Sequence, residues 1–196
     1  VAVEELGEYD QVDRLIAQGS ATRPIRFPVP AGYADHADFN AALSEEIRTH
    51  PNLSGDLDPL RRAIRGGAYV SQLFDHKGPA IAAFERMLSE GLGDYIASLS
   101  KDPDHPFFAR IPERYAVNIW ANILGDEGHQ STHIHNAGWL SGTYYAAIPE
   151  TVSPDDETRA GWLEFNRPGY GIPHRGTRPL DAICPELGMA VVFPSY

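Results

Sequence analysis

The chain has 196 residues, of which 42% are hydrophobic and 22% charged, a balance that is ordinary for a folded protein and argues against disorder. Its net charge of −11 opposes binding through phosphate groups, so we expect neither a nucleic acid nor an anionic membrane as a partner. No apolar run reaches the ~20 residues that span a bilayer. The only cysteine, Cys184, excludes an intrachain disulfide, and we therefore expect a cytoplasmic protein.

Three segments in the first third of the chain have patterns that predict local structure. Residues 11–18 are weakly amphipathic, which predicts a short helix. Residues 24–30 are rich in proline, which favours an edge strand. Residues 38–49 carry apolar side chains at a spacing of four, which predicts an amphipathic helix with Asp38 as its N-cap. A turn-rich stretch follows, and it contains a basic cluster that we expect on a solvated surface: Arg61, Arg62 and Arg65.

The clearest helical pattern covers residues 79–99, because a proline is tolerated in the first turn and a continuous apolar stripe follows it. From residue 113 the hydrophobic period changes from helical to two. Residues 114–124 alternate between an aliphatic face and a face that carries Asn118, Trp120 and Asn122, which predicts a strand. Further strands are predicted within residues 140–148, 161–166 and 189–193.

These elements predict an α+β fold that is mainly β with N-terminal helices. We expect a helical and edge-strand region, residues 1–112, packed on a β-rich core, residues 113–196, within one structural domain. A strand with one aliphatic face and one amide and aromatic face fits a barrel whose interior is a site.

Three of the eight histidines fall within seven residues: His129, His133 and His135. On a strand, alternate residues point to the same side, so His133 and His135 would project together. Two imidazoles at this spacing can reach one metal ion, and imidazole suits iron, zinc, copper and nickel. Surface or hydrogen-bonded histidine pairs have the same spacing, so the pattern alone leaves both interpretations open. We expect His129 in a loop or beside the metal ligands.

The strand predicted after this pair carries hydroxyl groups on both faces. Ser141, Thr143 and Tyr145 alternate on one side, and Tyr144 points to the other. Hydroxyl groups inside a barrel need partners, such as a carboxylate ligand or ordered water. The two tyrosines can equally be half-buried packing residues.

The His-x-His pair and three further segments resemble the 2-oxoglutarate/iron(II)-dependent dioxygenase superfamily, in its branch of bacterial and phage oxygenases. The segments are LSGTYYAAIP (140–149), AGWLEFNRP (160–168) and GMAVVFPSY (188–196). The similarity covers about residues 24–196, with the specific motifs in residues 118–196. It implies a double-stranded β-helix (jelly-roll) core. It also implies an enzyme that uses Fe(II), 2-oxoglutarate and O2 to oxidise a substrate C–H bond, with release of succinate and CO2.

The resemblance also assigns roles to individual residues. It makes His133 and His135 metal ligands, with His135 at the position where the family usually has a carboxylate. Tyr145 matches a tyrosine that contacts the co-substrate, and the other predicted co-substrate contacts are Ser141, Asn122 and Asn118. The wall of the substrate pocket is predicted from Trp120, Tyr144 and Trp162.

Two departures from the family pattern concern the metal ligands. Because His135 replaces an anionic ligand, a carboxylate from elsewhere is expected, with Glu164 as the first candidate and Asp126 as a poorer one; a three-histidine site is the alternative. The family pattern also has a distal histidine and a co-substrate arginine, which we expect after Tyr196 in a longer protein. An inactive copy is the alternative.

Three other functions compete with this interpretation. A cupin-like metalloenzyme could use His133, His135 and Glu164, although the spacing does not match the cupin motif. A barrel without a metal could bind a ligand in its cavity. A zinc hydrolase lacks a supporting signature in this sequence. The substrate is expected to be a small molecule or a peptidyl residue, and the sequence leaves a homodimer open.

Overall fold

The computed structural model describes residues 2–17, 19–55, 63–169, 172 and 180–195. The described residues group into two compact units that interleave along the chain. The first unit takes its residues from Val1–Arg26, Tyr95–Glu113 and Thr132–Tyr196, and the second from Phe27–Asp94 and Arg114–Ser131. The predicted single domain with a boundary at residue 113 stays a prediction.

Helices and strands alternate irregularly along the described chain. The helices are α1 (Ala2–Glu5), α2 (Tyr9–Ile16), α3 (His36–Arg48) and α4 (Pro79–Ala97). The strands are β1 (Arg23–Arg26), β2 (Leu53–Ser54), β3 (Ile64–Val70), β4 (Ala121–Gln130), β5 (Leu140–Tyr144), β6 (Leu163–Glu164), β7 (Ala182–Ile183) and β8 (Met189–Pro194). All strand pairs are antiparallel, so the fold mixes helices with small antiparallel sheets, as the α+β prediction required.

The first unit contains a three-stranded sheet in the order β1-β8-β5 and a two-stranded sheet of β6 and β7. Strand β8 lies in the middle of the larger sheet, and its residues from Met189 to Val192 are all buried. A strand covered on both faces is apolar at consecutive positions, which explains the sequence MAVVFP. Strand β1 contains Pro24 and lies at the edge of the sheet, where a missing N–H group is tolerated; it confirms the predicted edge strand over residues 24–26 only, and residues 27–30 are not in a strand.

The second unit contains the sheet β2-β3-β4, helix α3 and most of helix α4. Three residues of the predicted stripe on α4 are buried: Ile81, Phe84 and Met87. Phe39 and Leu43 of α3 are also buried in this unit. Helix α4 begins at Pro79, which confirms the prediction of a first-turn proline.

The N-cap predicted for α3 is wrong by three residues. The helix begins at His36, and the Asp35 side chain accepts a hydrogen bond of 2.8 Å from the N–H of Asp38. The Asp38 carboxylate in turn accepts a bond of 3.1 Å from the N–H of Ala34. Asp35 is therefore the N-cap, and Asp38 instead ties the preceding residue Ala34 to the first turn of the helix.

The strand predicted over residues 114–124 is shifted in the structure, where β4 covers Ala121–Gln130. Ala121 pairs with Val70, the last residue of β3, so residues before Ala121 have no partner in β3. At the other end the strand continues through a bulge, in which four residues of β4, 125–128, lie opposite Gly66. Both ends of β4 depend on the position of the neighbouring strand β3. The alternation of residues along β4 does not reveal that position.

Two members of the predicted basic cluster, Arg61 and Arg62, lie outside the described residues. Arg65 lies in β3, half-buried, opposite His129 of β4. No helix in the described part of the chain combines the length and the apolar character needed to cross a membrane.

Candidate metal site

The His-x-His pair lies in the loop between β4 and β5, which corrects the prediction that it lies on a strand. The ring centroids of His133 and His135 are nevertheless 5.0 Å apart, with the ring planes inclined by 53°. Two imidazoles that bind one ion at about 2.1 Å hold their ring centres roughly 4.5–5.5 Å apart. The distance between the rings is therefore compatible with two ligands of one ion, although the pair does not lie on a strand.

A chain of two hydroxyl groups holds the His135 ring. Its Nδ1 atom and the Ser141 Oγ atom are joined by a hydrogen bond of 2.7 Å. A second bond of 2.8 Å joins the Ser141 Oγ to the Oγ of Ser195. Both serines are buried, with 8% and 5% of their surface exposed, whereas His135 itself is half-buried. Histidines that bind metals usually engage their second ring nitrogen in a hydrogen bond, so the bond to Ser141 is compatible with metal binding by His135.

The pairing of β5 with β8 brings these hydroxyl groups together. Ser141 lies opposite Phe193, and paired residues of antiparallel strands point to the same face. Ser195 follows Phe193 by two positions, so its side chain returns to that face. The N–H of Ser195 donates to the carbonyl of Trp139 (3.2 Å), which ties the end of β8 to the start of β5.

Gly138 gives Ser195 the space that this arrangement needs. A Cβ atom at position 138 would lie 2.7 Å from the Ser195 Oγ, closer than real contacts of this kind. The Gly138 N–H also donates to the carbonyl of His135 (2.9 Å), which closes a turn directly after the histidine pair. Any side chain at this position would compete with Ser195 for the same volume.

Trp139 anchors the end of the histidine loop within the first unit. Its ring stacks on Phe107 with a centroid distance of 4.2 Å and an interplanar angle of 4°. Its Nε1–H donates to the carbonyl of Phe107 (3.1 Å). Phe107 is 1% exposed, so the loop is fixed to a buried residue.

The surroundings of His135 favour its neutral form. Partial burial lowers its pKa, and the neighbouring His133 lowers it further. A histidine must be neutral to bind a metal, so the electrostatic environment and the ring geometry favour the same function.

Tyr145 follows β5 and stays bound to β8 through its backbone. Its N–H donates to the carbonyl of Met189 (3.0 Å), and its carbonyl accepts from the N–H of Gly188 (2.8 Å). Burial raises the pKa of Tyr145 to about 12, although a hydrogen bond with the Thr143 side chain opposes the shift. The phenol therefore keeps its proton at physiological pH and can donate a hydrogen bond. Tyr144 lies on the opposite face of the strand, half-buried.

The structure does not group the predicted third ligand with the histidines. The Glu164 carboxylate binds Arg167, with the Nε and one Nη atom at 2.7 and 2.6 Å. Within the described residues, no set of three histidine, cysteine, aspartate or glutamate side chains could hold a metal ion. Trp162 donates from Nε1 to the carbonyl of Ser153 (3.2 Å) and lies beneath the guanidinium of Arg159, 5.7 Å from its ring centre.

Three of the residues predicted to line the pocket belong to the second unit. Asn118 is exposed and outside any strand, Trp120 is half-buried, and Asn122 lies in β4 opposite Tyr69. Asp126 lies in the bulge of β4 and is exposed. Their predicted roles stay predictions.

Ser195 and Gly138 are the site residues that sequence reasoning missed. Ser195 lies two positions after Phe193, so alternation along a strand places both side chains on one face. The sequence alone could therefore have predicted the orientation of Ser195. Its partner Ser141, however, lies 54 positions earlier in the chain. The register of β5 on β8 makes this contact, and no local pattern shows that register.

Residues 118–196 match the model of a protein family described as "Putative 2OG-Fe(II) oxygenase". The chain has no significant match among curated proteins or among solved structures. The matched segment contains the histidine pair, the two serines and Tyr145. The match therefore supports an oxygenase of the 2-oxoglutarate/iron(II) superfamily, in the part of the chain that builds the candidate metal site.

Proposed function

We propose that the protein uses Fe(II), 2-oxoglutarate and O2 to oxidise a C–H bond of a small-molecule or peptidyl substrate, with release of succinate and CO2. The observation that carries this proposal is the pair of rings of His133 and His135, 5.0 Å apart, the second of them held by Ser141. Both histidines lie within the residues that match the oxygenase family.

In this proposal His133 and His135 bind the ion through ring nitrogens. Because the Nδ1 of His135 is bonded to Ser141, we assign its Nε2 to the metal. A bound Fe(II) ion with open positions supplies oxygen activation coupled to the decarboxylation of 2-oxoglutarate. Glu164 could become the third ligand only if its ion pair with Arg167 opened.

Tyr145 is the residue that we assign to the far carboxylate of 2-oxoglutarate. Its phenol is protonated at physiological pH, so it can donate a hydrogen bond to an anionic oxygen. Ser141, also predicted as a co-substrate contact, is already bonded to His135 and Ser195. These bonds favour a role for Ser141 in holding the histidine ring.

The superfamily match also supports a jelly-roll arrangement as the frame of the site. Asn118 and Asn122 belong to the second unit, and their role in co-substrate binding stays a prediction. Tyr144 and Trp162, both in the first unit, are the residues that we assign to an apolar wall that excludes water from the substrate, and the role of Trp120 stays a prediction. The acidic net charge argues that the substrate is not a nucleic acid.

Single alanine variants of the two histidines test this proposal in the full-length protein. His133→Ala and His135→Ala should each abolish Fe(II) binding and the Fe(II)-dependent conversion of 2-oxoglutarate to succinate, because each removes a ligand. His129→Ala is the matched control, since this exposed residue lies in β4 and bonds only weakly to the Glu127 carbonyl (3.4 Å). If both ligand variants still formed succinate at the wild-type rate, the site assignment would be wrong.

A further inference from the structure

The two buried serines form a chain whose hydrogen bonds depend on one another. A serine hydroxyl has one proton to donate, so Ser141 can donate either to His135 or to Ser195. If His135 carries its proton on Nδ1, it donates to Ser141, and the Ser141 hydroxyl is then free to donate its own proton to Ser195. If Nδ1 carries no proton, Ser141 can donate to it instead. The tautomer of His135 and the direction of the chain are therefore coupled.

Binding of a metal through Nε2 fixes the direction of the bond between His135 and Ser141. Nε2 then uses its lone pair for the metal, and the ring proton lies on Nδ1. The Ser141 hydroxyl must accept this proton, so its own proton needs another acceptor. With only 8% of Ser141 and 5% of Ser195 exposed, bulk water has little access to take the place of that acceptor.

We propose that Ser195 is a positioning residue, which accepts the hydroxyl proton of Ser141 and so allows His135 to keep its own proton on Nδ1 while Nε2 binds the iron. This inference rests on the proposed function. It assigns to Ser195 a role two hydrogen bonds away from the metal, and it requires no contact between Ser195 and the ion. It also makes the effects of Ser141 and Ser195 on metal binding strongly interdependent.

Metal affinity in a double-mutant cycle tests this dependence. The probe is Co(II) bound by the full-length protein, with the dissociation constant measured by calorimetry. Ser195→Ala should weaken binding roughly 10- to 100-fold, the range typical of residues that orient metal-binding histidines. In the Ser141→Ala background, Ser195→Ala should change the affinity by less than about twofold, because the connecting hydroxyl is already absent. Equal losses in both backgrounds, or no loss from Ser195→Ala alone, would overturn the proposal.

Thr22→Val is the matched control for the loss of a buried hydroxyl group. Thr22 is 3% exposed, lies directly before β1 in the same unit, and donates to the carbonyl of Ile16 (2.8 Å). Its variant should lose stability as Ser195→Ala does and should keep the wild-type Co(II) affinity. A comparable loss of affinity in Thr22→Val would show that any buried hydroxyl matters, and it would contradict a specific role for Ser195.

The tautomer of His135 gives a readout that needs no metal and no turnover. In ¹⁵N NMR spectra of the metal-free protein, Ser195→Ala should shift His135 toward the form with its proton on Nε2. Without the Ser195 hydroxyl, the Ser141 hydroxyl donates to Nδ1 of His135 instead, and Nδ1 must then carry no proton. Should the variant not fold, the wild-type protein loaded with Zn(II) still tests the idea: Nδ1 of His135 should carry a proton, and a Zn–Nδ1 bond would overturn the proposal.

The same data separate this inference from the proposed function. A tautomer shift in Ser195→Ala, in a protein that forms no succinate from 2-oxoglutarate, would support the role of Ser195 and contradict the oxygenase. If the protein turned over 2-oxoglutarate normally, and Ser195→Ala changed neither the tautomer of His135 nor the metal affinity, the oxygenase would be supported. The role of Ser195 would then be contradicted.

Discussion

Gly138 is a residue at which we expect a substitution to lower metal affinity without any contact with the metal. Gly138→Ala would place a Cβ atom 2.7 Å from the Ser195 Oγ, so we expect this hydroxyl to shift and its bond to Ser141 to weaken. We expect a loss of Co(II) affinity of roughly 10- to 100-fold, as for removal of the hydroxyl itself. Calorimetric titration of the variant with Co(II) measures this loss of affinity.

Gly93→Ala is the control for this substitution. A Cβ atom at Gly93, within α4, would have nothing within 4 Å. We expect unchanged metal affinity and a stability gain of about 0.5–1 kcal/mol, since alanine is the better helix former. Wild-type Co(II) binding by Gly138→Ala would show that the approach of Ser195 to Ser141 is unimportant.

Tyr145 provides a second test among single residues. Tyr145→Phe should weaken 2-oxoglutarate binding by about 1.5–3 kcal/mol, because a hydrogen bond to a charged oxygen is lost. The pKa of about 12 means that the phenol stays protonated, so the difference between wild type and variant should be constant from pH 6 to 9. Titration of the Fe(II)-loaded protein with 2-oxoglutarate under anaerobic conditions measures both quantities.

Tyr95→Phe is the matched control for Tyr145→Phe. Its pKa is also raised to about 12 by burial, and its hydroxyl donates to the carbonyl of Ala21 (2.8 Å). It should lose stability and keep its affinity for 2-oxoglutarate. Equal affinities of Tyr145→Phe and wild type would remove Tyr145 from the site.

The sequence predicted that His133 and His135 lie close together, because they are only two positions apart. Tyr145 was assigned from a strand motif of the resemblance, and its role stays a prediction. Ser195 and Gly138 could not be found in this way. Their roles depend on a contact between the start of β5 and the end of β8, which pairing across the sheet creates.

Among the elements, the start of α4 depends on a residue of α3. The Glu46 carboxylate accepts hydrogen bonds from the N–H groups of Ala80 (2.8 Å) and Ile81 (2.9 Å). A negative charge at a helix N-terminus that also satisfies two N–H groups stabilises the helix.

Glu46→Ala should therefore lower the free energy of unfolding by about 1–2 kcal/mol, as measured by urea denaturation. Glu45→Ala is the control, because this neighbour lies in the same helix and is exposed. We expect it to change stability by less than about 0.5 kcal/mol. Similar losses from the two variants would mean that the contact with α4 contributes nothing beyond the helix propensity of α3.

The same distinction between local and distant information explains which elements the sequence predicted. The α4 helix and the β8 strand were predicted because a helical stripe and a dense apolar run are local features. The ends of β4 were not predicted correctly, because they depend on where β3 ends and on the bulge opposite Gly66. Strand β3 itself was missed, since two central glycines, Gly66 and Gly67, hide its alternation.

At the scale of the whole molecule, the mixture of helices and antiparallel sheets could be predicted from composition and periodicity, but the grouping of segments could not. Strand β1 pairs with β8 through contacts such as Arg23 with Val192, near opposite ends of the sequence. Such pairings decide which segments form each unit, and no linker composition marks them. The division into two interleaved units is therefore seen in the structure and could not be predicted from the sequence.

The most direct test of the proposed function is the absorption spectrum of the full-length protein with Fe(II) under anaerobic conditions, before and after addition of 2-oxoglutarate. We predict a new weak charge-transfer band in the visible region, which requires chelation of the co-substrate by an iron ion with open positions. The band should be absent in His135→Ala and present in His129→Ala. Retention of iron without such a band in the wild-type protein would contradict the proposed oxygenase.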